Sequence, residues 1–395
     1  MDSRTAPIVP TLPGRFYWDP DLYRIESEQI FARLWTCVGL AASLPQPGDF
    51  LTTEVAGEPL LVVRGQDGEL RAFLNVCRHR GARLCTESSG HLQGSIIQCP
   101  YHAWSYALDG RLIGAPNLRD TPGFAPEAFG LHSVSLAVWH GLIWVNLSPE
   151  PPPLDTQLEA SILERFGERE TFARYQVGEL AIGASITYDV AANWKLLVEN
   201  FMECYHCAVV HPELSRLVPS FRAGYAYQEG IGATFAEGVE TLTLNGRRTR
   251  PLLPGLRPED DRKYYGLVLR PNVFVNLHPD YVLIHRLEPQ GPDRTRVVCH
   301  WLFAPEVVAA PDFDPSDAVE FWDLVNRQDW AMCERCQLSM RSRAYAAGGI
   351  YAPIESHIGR FNNWVLEQLG ERASAEEILG SQQPAVQKWM TGKGL

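Results

Sequence analysis

Two short segments of the 395-residue chain carry residue types that could bind a metal: Cys77-Arg-His79 and Cys99-Pro-Tyr-His102. Each pairs a soft thiol ligand with an imidazole, and each follows a strand-like run. Two thiolates with two imidazoles suit zinc or an iron–sulfur cluster. Zinc sites usually group the cysteines in one loop and the histidines in another, whereas here each loop supplies one of each. That interleaving suits a [2Fe–2S] cluster in which one iron takes both thiolates and the other both imidazoles, so that each loop touches both irons. Taken singly, any of these residues reads as a buried thiol or a satisfied core histidine. Together, flanked by Arg80-Gly81 and Trp104, they point to a metal site. Cys85 lies outside the pattern and is expected to be a buried thiol.

CRHRG at 77–81 with CPYHAWSYALDG at 99–110 resembles the Rieske domain of the Rieske non-haem iron oxygenases, the ring-hydroxylating large subunits and their relatives. The 19-residue connection between His79 and Cys99 is slightly longer than is usual there, and the extra residues are expected within Glu87–Gly94. The resemblance implies a second, mononuclear iron held by two histidines and a carboxylate, with coordination positions left open. The segment NWKLLVENFMECYHCAVVHP at 193–212 resembles the family's iron-binding helix, and His206 and His211 match its ligands. Five residues apart, they would stand about 140° from one another on an ideal helix. The helix must therefore distort or end between them, and Pro212 is consistent with an ending.

NRQDWAMCERCQ at 326–337 resembles the family's late carboxylate motif and implies Asp329 as the third ligand, with Asp323 and Glu334 as competitors. Glu203 matches a bridging carboxylate that, in the family, joins one histidine of each metal site across a subunit interface. It would connect His206 to His102 of the partner subunit; Glu199, one turn earlier, is the alternative. Asn200 matches an asparagine close to the iron but outside its ligand set.

What the resemblance implies about activity follows from these parts. The chain would be the oxygenase component of a multicomponent system, activating O2 at Fe(II) with electrons from a separate flavin or iron–sulfur reductase. No G-x-G-x-x-G fingerprint is present, so NAD(P)H would act on that partner. The circuit across subunits implies a head-to-tail homotrimer. Three features look like the glycine betaine, stachydrine and carnitine monooxygenases: Glu at the bridging position in ENFMECYHC, the opening LPGRFYWDPDLYRIESEQIFARLW, and NRQDW…CERCQ with Tyr351, Phe361 and Trp364 beyond it. In such enzymes an N-methyl group is hydroxylated and the hemiaminal releases formaldehyde. A quaternary ammonium substrate needs an aromatic cage. The alternative is an aromatic ring-hydroxylating alpha subunit, by mono- or dioxygenation. An alternative of another class is a Rieske electron-transfer protein without catalysis, which would have no use for His206, His211 and Asp329.

Other signals are discounted. Cys204…Cys207 and Cys333…Cys336 could be drawn as a four-thiolate zinc site, but both pairs fall in helical patterns, where small buried thiols are the plainer reading. His278, His285 and His300 sit on strand-like stretches and read as core histidines, His278 being the one that could reach a pocket. Tyr264-Tyr265-Gly266 reads as sheet packing.

The elements that must position these residues give an α+β fold: an N-terminal all-β Rieske [2Fe–2S] domain and a C-terminal helix-grip catalytic domain of antiparallel sheet and helices. Residues 1–40 form an entry segment packing on the catalytic domain, 41–148 the Rieske domain and 149–395 the catalytic domain, with the proline run 149–153 as linker. Helices are expected near 155–166, from Asn193 to about Val209, and from Ser316 to about Ala346. With 35 Lys+Arg against 47 Asp+Glu, the net charge of −12 argues against nucleic acid or an anionic membrane as the main partner. The longest apolar stretch, Ser135–Leu147, is too short to span a bilayer. The opening MDSRTAPIVPTLPG lacks the apolar run of a secretory leader, so a soluble cytoplasmic protein is expected. Its nine cysteines are then expected as thiols or metal ligands rather than disulfides.

Overall fold

Short apolar runs punctuated by glycine turns build the unit Phe31–Thr156. The computed structural model describes residues 9–118, 121–225 and 232–370; the outer ends of the expected entry segment (1–8) and catalytic domain (371–395) lie outside the described residues. In this unit a seven-stranded antiparallel sheet runs in the order Thr36–Leu40, Leu142–Asn146, Ser133–Trp139, Leu70–Leu74, Glu58–Arg64, Asp49–Val55, Ser89–His91. A three-stranded antiparallel sheet, Ile96–Gln98, Ser105–Ala107 and Leu112–Gly114, packs with it around one apolar core that contains Phe50, Leu61, Phe73, Ile97, Trp104 and Tyr106. Within the connection after His79, Ser89–His91 pairs with Asp49–Leu51 as an edge strand of the sheet. Phe31–Leu40, expected in the entry segment, belongs to this unit because Thr36–Leu40 is an edge strand of its sheet. The proline run stays with it too, tied by Trp35 Nε1 donating to Pro152 O at 2.7 Å.

The second unit comprises Met1–Ile30 and Gln157–Leu395. Its six-stranded antiparallel sheet runs Ala181–Val190, Arg294–Phe303, Val282–Gly291, Val273–Leu277, Lys263–Leu269, Ala233–Thr234. The helix Ser316–Ser339 lies across this sheet, held by polar contacts to buried residues of its strands and of the turn before Val282. Tyr188 Oη donates to Asp323 at 2.7 Å, Trp322 Nε1 donates to Tyr281 Oη at 2.8 Å, and His285 Nε2 pairs with Asn326 Oδ1 at 2.9 Å. The helix ends earlier than its sequence pattern suggests. Ser342 starts a new turn by accepting from the Ala344 amide, and the following residues Arg343–Tyr345 are a separate 3-10 turn.

The entry segment is anchored on the helix Trp194–Phe201. Asp19 caps its own short helix, Pro20–Glu26, accepting from the amides of Asp21 and Leu22. Glu26 is fully buried and takes two donors from the neighbouring helix: Lys195 Nζ at 2.5 Å and Trp194 Nε1 at 2.8 Å. Tyr17 Oη donates to Glu199 at 2.8 Å, and Gln337 Nε2 donates to Tyr17 O at 2.8 Å. A buried ion pair gains little net, but removing one partner strands the other charge. Glu26→Ala should therefore cost about 3–5 kcal/mol in denaturant unfolding, and a loss under 1 kcal/mol would show that Lys195 finds another partner.

Candidate metal centres

The two Cys/His loops are the same turn built twice. The Cys77 amide donates to Ala82 O at 2.8 Å and the Gly81 amide to Cys77 O at 3.0 Å; the Cys99 amide donates to Trp104 O at 2.8 Å and the Ala103 amide to Cys99 O at 3.1 Å. In both, the residue four beyond the cysteine is left-handed: Gly81 at φ 75° and Ala103 at φ 58°. The repeated turn brings the histidines together at the loop tips, with His79 Nδ1 and His102 Nδ1 3.1 Å apart. The Cys77 and Cys99 thiols lie buried beneath and interact with one another. A bis-imidazole edge above a bis-thiol base is the donor arrangement that the interleaved spacing calls for, and it fits a [2Fe–2S] cluster.

Two aromatic residues complete this centre: Trp104, already noted beside the ligand loops, and Tyr106, which the spacing did not flag. His79 stacks on Trp104, with ring centres 5.0 Å apart at 12°. Tyr106 Oη accepts from the Arg78 amide at 3.0 Å and donates to Cys77 Sγ at 3.4 Å. A hydrogen bond to a cluster sulfur stabilises the reduced, more negative state. Tyr106→Phe should lower the cluster's reduction potential by about 40 mV, the one-electron equivalent of about 1 kcal/mol. Protein-film voltammetry measures it, and an unchanged potential would remove Tyr106 from the centre.

The second centre assembles from distant segments. His206 Nε2 and His211 Nε2 are 3.2 Å apart, and Asp329 Oδ1 lies 3.2 Å from the first and 2.8 Å from the second. Donors about 2.1 Å from a divalent metal and at right angles to one another stand about 3.0 Å apart, so the three atoms fit one facial set around a single ion. Each imidazole is oriented from behind. His206 Nδ1 contacts the Glu203 carboxylate, and His211 Nδ1 donates to Gln328 Oε1 at 2.7 Å. That leaves both Nε2 lone pairs for the ion. Gln328 was not flagged by the sequence. Burial would lower the His206 pKa, but hydrogen bonds to Asp329 and Glu203 outweigh it and raise it to about 10. Burial would raise Asp329, and its bonds to both histidines bring it down to about 2.

The competing carboxylates are engaged elsewhere. Asp323 accepts from Tyr188, and Glu334 accepts from the Ala191 amide at 3.0 Å. Glu199 is buried against Tyr17 rather than beside His206, and burial raises it to about 7 despite its partners. A carboxyl raised in the fold stabilises most while protonated. Stability should therefore fall as pH rises from 4.5 through about 7. Unfolding midpoints across that window should show the slope, and Glu199→Gln should flatten it.

The approach to His206 is not one long helix. The helix Trp194–Phe201 stops, and the chain turns before Cys207–Val210 and Pro212–Leu217. Glu203 makes the break: its carboxylate folds back onto the amides of Tyr205 and His206 while also holding His206 Nδ1. The break also carries a disulfide between Cys204 and Cys207, contrary to the expectation of thiols throughout. The four-thiolate zinc site is therefore not formed, and Cys333 instead donates to Leu196 O at 3.7 Å. His285 and His300 are satisfied by Asn276, Asn326 and Ser185. Both ring nitrogens of His278 are buried without a hydrogen-bond partner, and its ring stacks on Tyr281.

Over the triad opens a cavity of about 60 Å³. Asn200, Glu203, His206, His211 and Asp329 all border it, and its remaining wall is mainly aromatic and aliphatic. Tyr264 and Gly266 contribute to that wall; Tyr265 is instead bonded to Asp260 at 3.0 Å.

Comparison with known proteins identifies the two domains. The family model of the Rieske [2Fe-2S] domain matches residues 34–125, and that of the ring hydroxylating alpha subunit catalytic domain matches 177–371. The glycine betaine monooxygenase oxygenase subunit of Chromohalobacter salexigens is 31% identical over 398 residues, covering 93% of this chain and 87% of that protein. The chlorobenzene dioxygenase subunit alpha of a Cupriavidus species is 33% identical over 232 residues, 58% of this chain and 47% of that one. A solved structure of a quaternary ammonium Rieske monooxygenase, described for carnitine oxidation and inter-subunit electron transfer, superposes with a TM-score of 0.74 at 26% identity, covering 93% of this chain and 98% of that one. The chain thus belongs to the Rieske non-haem iron oxygenases, as an oxygenase alpha subunit that uses a Rieske [2Fe–2S] cluster, a mononuclear iron and O2.

Proposed function

We propose that this subunit hydroxylates an N-methyl group of a betaine-like quaternary ammonium compound, with release of formaldehyde. The observation that carries this reading is the cavity wall. Phe201, Phe221, Tyr264 and Trp322 line it, and among the described residues no Lys or Arg does. Each ring is held in place: Phe201 stacks on Phe274 at 4.2 Å, Phe221 meets Tyr264 edge-on at 90°, Tyr264 Oη donates to Asn276 at 2.5 Å, and Trp322 is bonded to Tyr281. Fixed ring faces attract a cation that has no proton to donate, and they bind it without a further ordering cost.

In this reading Cys77, His79, Cys99 and His102 hold the cluster. His206, His211 and Asp329 hold the mononuclear iron, which supplies O2 activation when bound. Asn200 lines the space beside it. Glu203 orients His206 and bridges to His102 of the partner subunit, in a head-to-tail homotrimer. The residues around that bridge suit a covered surface, since Tyr205 is 60% and Val209 87% exposed in the single chain. A separate flavin or iron–sulfur reductase supplies the electrons from NAD(P)H. Among the described residues no helix is long and apolar enough to cross a membrane, and we place the system in the cytoplasm.

The test is formaldehyde release from a panel of betaines set against simple aromatic acids, with a surrogate reductase. Formaldehyde from a betaine supports the reading. Phenol or arene diol formation, with betaines inert, would replace it with ring hydroxylation, the reading favoured by the likeness to the chlorobenzene dioxygenase subunit.

A further inference from the structure

The cavity over the triad contains a cysteine pair that the oxygenase reaction itself does not use. Cys204 and Cys207 both line it, and no other sulfur does among the described residues. They are 4% and 2% exposed, so the cavity is their route to small molecules. Cys207 Sγ lies 4.0 Å from His206 Nε2, and it groups with the His206 and His211 nitrogens within 4.8 Å. The Cα atoms of the pair are 4.9 Å apart and the sulfurs are joined. The pair is therefore placed to close a disulfide without moving the chain. As a structural clamp this bond adds little. It closes a ring of four residues, at the short end for stabilisation, and the turn is already held by the Cys207 amide donating to Cys204 O at 3.1 Å.

We propose that Cys204 and Cys207 form a reversible peroxide trap at the mouth of the iron site. This rests on the assignment of His206, His211 and Asp329 to the iron. When O2 receives two electrons and two protons there without a C–H bond to oxidise, the product is hydrogen peroxide, released into a cavity whose other groups include the metal ligands. The Cys207 thiol takes one oxygen atom from H2O2, giving a sulfenic acid and one water. The Cys204 thiol then attacks that sulfur, forming the disulfide and releasing a second water. Two thiols and one H2O2 thus give one disulfide and two waters. Two equivalents of a small thiol restore the pair and leave as their own disulfide. The neighbouring thiol stops the oxidation at a reversible step; a lone cysteine would continue to the irreversible sulfinic and sulfonic acids.

The test runs the iron-loaded enzyme with reductant and O2 but no organic substrate. Thiols are then blocked and the tryptic peptide 196–216, which contains both cysteines, is weighed. The expected result is unblocked Cys204 and Cys207, a peptide lighter by two hydrogens, and full return of both thiols with dithiothreitol. An occupied cavity should protect the pair, so a turned-over substrate should suppress the conversion. Cys204→Ser should collect sulfinic and sulfonic acid on Cys207 and lose activity at least about threefold faster, relative to its own starting rate. If that variant does not fold, the wild-type peptide masses decide alone. Iron present, by its nitrosyl EPR signal, with the peptide still a dithiol and peroxide in the medium, would overturn the trap while leaving the iron assignment standing. Absence of that signal would overturn both.

Discussion

His206→Ala is expected to keep the colour of the protein and lose its turnover. Removing one of three protein donors opens the facial set, and neither Asp329 nor His211 can close it, because each is already committed to the same ion. Substrate oxidation should fall by at least about 10³-fold, equivalent to about 4 kcal/mol of transition-state stabilisation. Iron content should drop from about three to about two per chain. The visible absorbance of the cluster should not change, since its four donors come from the separate unit Phe31–Thr156. Cys77→Ser should do the reverse, bleaching the cluster while His206, His211 and Asp329 stay in place. Iron titration, absorbance and product formation on the same preparations separate the outcomes. Turnover by His206→Ala within a few-fold of wild type would remove His206 from the reaction, and with it the triad.

Glu203→Ala should produce a different failure: both metals bound, but little current between them. Glu203 is attached to the His206 imidazole and to the amides of the turn that carries it. Loss of a carboxylate behind a metal-bound histidine typically costs 10–100-fold in affinity or activity; in the proposed trimer, loss of the connection to the next subunit's cluster would add to this. Turnover should fall by at least about 100-fold even at saturating iron. The diagnostic is the cluster itself. The reductase should still reduce it rapidly, but its reoxidation by O2 with substrate bound should slow to match the lost turnover. Glu203→Asp, which keeps the charge on a shorter arm, should recover part of the rate, and Glu203→Gln should not. Normal reoxidation in Glu203→Ala would confine Glu203 to holding the turn.

The division between these two variants shows what could be read locally. Cys77, His79, Cys99 and His102 were legible because a cluster site is two short loops: all four donors lie within a few residues of a turn, and interleaved spacing is itself the geometry. His206 and His211 were legible through the resemblance of 193–212 to the family's iron-binding helix, being close enough in sequence for one segment to carry both. Their separation already required a broken helix, although the break falls earlier than Pro212, where Glu203 takes up the backbone amides.

The sequence therefore carried the first constellation in its own spacing, the second through the family resemblance of 193–212 and 326–337, and the α+β order of the elements around them. Tertiary structure decided between candidates that periodicity leaves equal. Asp323, Asp329 and Glu334 share one helix, and only the sheet beneath shows that Tyr188 and the Ala191 amide occupy two of them and free the third. Glu199 and Glu203 are one turn apart by count, but the helix ends at Phe201, so one is buried under Tyr17 and the other swings to His206. Gln328, Tyr106, the aromatic wall and the Cys204–Cys207 bond were not legible for one physical reason. A side chain's partner across a sheet or a cavity is chosen by long-range packing, and a single strand or helix carries no record of what will face it.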